Sequence, residues 1–82
     1  MNHNLQDIEN VDEALNRLKK FEDLSNEWLK EYHQCVQKLE QLKAEDKQKT
    51  VSYKENFGRK LFLTFILDKM VEKKLINKED LK

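Results

Sequence analysis

The stretch Arg59–Val71, reading Arg-Lys-Leu-Phe-Leu-Thr-Phe-Ile-Leu-Asp-Lys-Met-Val, constrains the fold more than any other. It is the densest apolar run in a chain in which 39% of the residues are charged. Leu61, Phe65 and Leu75 fall near one helical line, Phe62, Ile66 and Met70 near the next, and Leu63 and Leu67 widen the arc. A surface helix shows an apolar stripe only a little wider than about 100°. This segment is therefore expected to be wedged between two or more surfaces, with Phe65 at the centre of its arc.

Seven apolar-biased residues in a row also suit a buried strand. Helix is the better reading because the helical spacing continues to Val71 and Leu75 and no second strand candidate exists. Ser52-Tyr53-Lys54-Glu55 also reads as a capping box, in which Ser and Glu satisfy each other's free amides. The run is too short for a membrane span of about 20 apolar residues, and Asp68 and Lys69 interrupt it. Its flanking lysines are read as snorkelling from a core helix rather than as contacts to a membrane surface.

Upstream, Leu5, Ile8, Val11, Leu15 and Leu18 share one helical face. Asn4 is a candidate N-cap, and Asp7, Glu9, Asp12 and Glu13 lie where a helix dipole favours acids. Leu18, Phe21 and Leu24 then follow at steps of three, before Trp28, Tyr32, Cys35, Leu39 and Leu42 resume a four-three rhythm. Such a slip marks a stammer or a helix boundary, with Ser25 as a candidate cap. No Gly or Pro enforces a break, so the expectation is one long helix over about 4–46, continuous or kinked near 22–26. The alternative is a break near 23–26.

The connection is placed at about 46–51 and the second helix at about 53–73. A short terminal turn over 78–82 follows, with Asn77 as its cap. Lys74 falls where a helix commonly ends on Gly. The fold class is all-α, either an antiparallel helical hairpin or a three-helix bundle with coiled-coil character, in a single domain over 1–82. A continuous first helix outruns the second by about half its length, which leaves apolar surface for another molecule.

Eighty-two residues with no Pro and one Gly match the composition of long helices. A chain this short buries only about 60% of its unfolded surface, which makes oligomerisation a natural remedy. The net charge is zero but polarised: residues 1–42 hold nine acids and five bases, residues 43–82 seven acids and eleven bases. These halves of −4 and +4 attract each other in an antiparallel hairpin or dimer. A single cysteine, Cys35, excludes an intramolecular disulfide. With no signal-peptide pattern in the first residues, the reading is cytoplasmic, or nuclear in a eukaryote.

Chemistry-bearing motifs are few. His33 and Cys35, two apart on a helix, diverge by about 200° and make a poor metal pair. No phosphate-binding loop and no nucleophile elbow is present. The chain is accordingly read as no enzyme and without cofactors or metal.

Phe21, Trp28, Tyr32 and Leu39 are the candidate partner-binding residues, since aromatic anchors recur in binding hot spots. Lys43, Lys47, Lys49, Lys54, Arg59 and Lys60, interleaved with Tyr53 and Phe57, form a candidate nucleic-acid-binding stretch. Glu45, Asp46 and Glu55 dilute it, and the neutral total argues against strong phosphate binding. The leading functional expectation is a small helical interaction protein: an adaptor, an assembly subunit or a regulator of the kind found in phages and mobile elements. It would engage a protein partner or a second copy by coiled-coil or helix-in-groove association. A nucleic-acid-binding regulator using residues 43–60 is the alternative.

Overall fold

The computed structural model describes residues 5–82, with side chains from Asn10 onward, so the Asn4 cap lies outside the described residues. The architecture is a helical hairpin. Helix α1 spans Leu5–Ala44 and helix α2 spans Val51–Glu72, and the two pack against each other. A 3-10 turn over Lys78–Leu81 folds back onto α1. At 1.5 Å per residue the 40-residue α1 is about 60 Å long and the 22-residue α2 about 33 Å. The molecule is correspondingly a rod of 65 × 20 × 14 Å.

No break divides α1 near residues 22–26, so three helices of similar length do not form. The apparent slip in the sequence comes from taking Leu24 as a core position. Leu24 is exposed, and the polar Ser25 takes the buried place instead. Its hydroxyl donates to the Phe21 carbonyl at 2.9 Å, which satisfies it inside the helix's own turn. With Ser25 in place, Leu18, Phe21, Ser25, Trp28, Tyr32, Cys35, Leu39 and Leu42 follow at steps of three and four without interruption.

The buried apolar residues are Cys35, Leu39 and Leu42 from α1 and Leu63, Leu67 and Met70 from α2. Phe21, Trp28, Leu29, Tyr32, Ile66, Ile76 and Leu81 pack around their centre. Phe65, expected at the middle of the core arc, is instead 65% exposed. The buried line on α2 runs through Leu63, Leu67 and Met70, at steps of four and three. A single partner helix covers only that line, and Phe65 lies on the far side.

The second helix starts earlier than the Ser52 capping box implies. Thr50 is the N-cap, and its hydroxyl accepts the Tyr53 N–H at 3.3 Å. The same hydroxyl donates to the Lys47 carbonyl at 2.7 Å, tying the connection to the helix start. Ser52 lies inside the first turn, where its carbonyl accepts the Asn56 side-chain amide at 2.8 Å. Thr50 wins because one hydroxyl there serves both the loop and the helix.

Both long helices end in the same way without glycine. At the end of α1, the Asp46 N–H donates to Lys43 and the Lys47 N–H to Leu42, at 3.0 and 2.8 Å. At the end of α2, the Lys74 N–H donates to Val71 and the Leu75 N–H to Met70, at 2.9 and 2.8 Å. These are the paired bonds of the Schellman motif, which needs a left-handed residue. Asp46 and Lys74 supply it, with φ of 57° and 61°. The second motif turns the chain so that Ile76 and Leu81 reach the core. The Asn77 N–H donates to the Asp80 carboxylate at 3.2 Å, and His33 Nε2–H donates to the Asp80 carbonyl at 2.8 Å. A carbonyl only accepts, so Nε2 carries the proton.

Candidate interaction surfaces

Among the described residues, two apolar faces are left uncovered by the hairpin. The first is the forward part of α1. Every residue from Asn10 to Lys20 is exposed, because α2 ends before reaching them. Val11, Leu15 and Leu18 stand 57%, 59% and 51% exposed along one line of that segment. They continue the spacing of the residues that α2 buries further along.

The second face is the outside of α2. Leu61, Phe62 and Phe65 are 55%, 63% and 65% exposed, and Val51 lies nearer the helix start on the same side. Lys69 closes one edge, its ammonium 5.9 Å from the Phe65 ring centre. Gly58 lies in the same stripe, and a Cβ there would meet nothing within 4 Å. Packing within the hairpin therefore does not require glycine at this position.

The residues expected to bind a partner are placed differently. Leu39 is buried, and Phe21, Trp28 and Tyr32 pack half-buried against the Cys35–Leu63–Leu67–Met70 core. Part of their aromatic surface faces the hairpin's own interior and part stays exposed. The Tyr32 ring meets that of His33 edge-on at 5.5 Å, which positions the imidazole toward the Asp80 carbonyl. The outer face of α2, which the apolar pattern alone assigns to the core, is exposed. The excess width of the arc was its signal: three apolar lines on a helix with one neighbour leave one of them outside.

The basic residues divide into groups. Lys43 and Lys60 come together with Val36, Leu39, Glu40, Tyr53 and Phe57 around a shallow groove of about 190 Å³. The Tyr53 and Phe57 rings stack there at 6.3 Å and 14°. Lys54 and Arg59 lie roughly 100° or more around the helix from Lys60, on other faces. Lys47 is paired with Glu45 at 3.0 Å in the connection, and Lys49 is exposed beside it. The hydrogen bond from Lys47, supported by one from the Gln41 amide, holds the Glu45 carboxyl below its ordinary value. The stretch that reads as one patch in sequence is thus a two-lysine groove, an ion-paired turn and two outlying bases.

A second groove, of about 410 Å³, lies between the middle of α1 and the turn after α2, bordered by Phe21, Ser25, Leu29, Leu75, Asn77 and Asp80. Among the described residues no side-chain nitrogen or oxygen is buried without a partner, and no group of three or more His, Cys, Asp or Glu is disposed to hold a metal. No described helix is long and apolar enough to cross a membrane. Comparison with protein-family models, with curated proteins and with solved structures returned no match.

Proposed function

We propose that this chain is a small helical protein–protein interaction protein, of the adaptor or assembly-subunit kind, that works by apolar helix-on-helix association. The observation that carries the reading is the exposed stripe of Leu61, Phe62 and Phe65 on the side of α2 turned away from α1. Two phenylalanines and a leucine on one helical face offer an apolar contact in the manner of helix-in-groove and coiled-coil recognition. The uncovered Val11–Leu15–Leu18 line adds a second surface of the same character.

The test is binding with and without the stripe. A Phe62→Ser/Phe65→Ser double variant should keep its helical circular dichroism and lose its protein complexes, and the wild-type complexes should persist in raised salt. Complexes unaffected by the double change would refute the reading.

Nucleic-acid binding stays as the second reading because Lys43 and Lys60 flank the stacked Tyr53 and Phe57 rings. It predicts a gel shift with single-stranded nucleic acid that fades with salt. The shift should disappear in a Lys43→Glu/Lys60→Glu variant while Phe65 is left intact.

A further inference from the structure

Resting on the interaction reading above, we propose that the partner is a second copy of this chain. The two hairpins lie antiparallel about a two-fold axis, and the uncovered Asn10–Lys20 segment of each α1 lies along the outer face of the other's α2.

Each hairpin carries two unpartnered apolar lines, and they match. Val11, Leu15 and Leu18 are spaced four and three, as are Gly58, Phe62 and Phe65. Neither line can be covered from within the hairpin, since α2 stops short of the first and points the second away from α1. Turning a second rod end over end brings both together at once. Its α1 then runs parallel to the α2 it covers, and each α2 sits between two α1 helices, in opposite halves of the assembly. α2 carries apolar lines on two opposed sides, Leu63–Leu67–Met70 and Leu61–Phe62–Phe65, and this arrangement gives the outer line a second wall. Gly58, which serves no packing within the hairpin, then lets the incoming helix approach the α2 backbone closely.

Area points to the same occupant. The chain exposes 7062 Å², whereas a compact monomer of its 10.0 kDa exposes about 5,200 Å². The excess is about 1,800 Å² per chain, or roughly 3,600 Å² for two chains, within the roughly 2,000–5,000 Å² total that obligate homodimers bury.

The test is sedimentation equilibrium of the pure 82-residue chain at micromolar concentration. The expected mass is twice 10.0 kDa. Leu18→Glu and Phe65→Lys should each weaken the dimer by about 100-fold or more, the scale of losing a hot spot. Each should retain its helical circular dichroism. Mixed in equal amounts, the two variants should dimerise again. The mixed pair has one native contact and one in which the introduced acid faces the introduced base. Leu15→Glu with Phe62→Lys is a second pair, used if either of the first loses its helicity.

A monomer across the concentration range would overturn the proposal, as would a mixture that fails to reassociate. A dimer broken by Leu18→Glu but indifferent to Phe65→Lys would also overturn it, by showing that the α1 segments pair with each other. A pure monomer whose heterologous complexes are lost on changing Phe65 would sink the dimer and leave the interaction reading standing.

Discussion

The inner face of α2 (Leu63, Leu67 and Met70) and the outer face (Leu61, Phe62 and Phe65) differ little in apolar content but greatly in burial. Leu67 is fully buried and Leu63 and Met70 nearly so, while the three outer residues are all more than half exposed. The outer face is the bulkier of the two, with two phenyl rings. Hydrophobicity therefore did not select the core. Length and geometry did: one antiparallel neighbour offers one seam, and the line facing Cys35 filled it. The surplus apolar surface of α2 is what the proposed association would use.

The sharpest way to break that contrast is to truncate its two central residues. Leu67→Ala removes a wholly buried side chain and should cost about 2–5 kcal/mol. That is much of the roughly 5–15 kcal/mol typical of a folded domain. Urea unfolding followed by Trp28 fluorescence should then show a large loss of midpoint.

The next effect lies at the start of α2. Thr50→Ala should cost about 1 kcal/mol through loss of the cap, while Ser52→Ala should fall within about 0.5 kcal/mol of wild type. Equal costs at the two positions would return the helix start to Ser52.

Smaller again, and opposite in sign, Lys74→Gly relieves a left-handed residue at the end of the inner face. It should stabilise by up to about 1 kcal/mol, less what the unfolded chain gains in freedom. A loss of stability in the same urea titration would mean that the Lys74 side chain contributes more than its strain costs.

The smallest effect should be Phe65→Ala, within about 0.5 kcal/mol of wild type at dilution where the chain is monomeric. If it instead costs as much as Leu67→Ala, the two faces of α2 are not distinct and the outer stripe belongs to a core.

Much of the hairpin is legible in the amino-acid sequence. The all-helical content follows from the spacing of apolar residues in a proline-free chain. The turn after α2 shows in Lys74 and in the Asn77–Asp80 phrase, because caps and left-handed ends are local. Asp46 is less legible as the end of α1, since its left-handed conformation is visible only in the backbone. Leu24 and Ser25 mislead for a related reason. A serine satisfied by its own helix's carbonyl is cheap to bury, yet a hydrophobic pattern ranks the leucine beside it higher. The basic stretch at 43–60 illustrates the limit of proximity in sequence. A helical rise scatters neighbouring lysines over several faces, and only Lys43 and Lys60 meet around one groove.

The sequence by itself determined that the chain would form long helices, where the second would end, and that α2 would carry more apolar surface than one neighbour needs. These properties depend on period, propensity and capping, which act over a few residues. Only the tertiary structure decided which apolar line of α2 would be buried, and that Phe65 would stand outside while Leu67 went in. It likewise decided that Phe21, Trp28 and Tyr32 would serve the hairpin's own interior. Those outcomes depend on the relative rotation and length of two packed helices. A pairing between residues far apart in the chain, such as Cys35 and Leu67, is not contained in either segment alone.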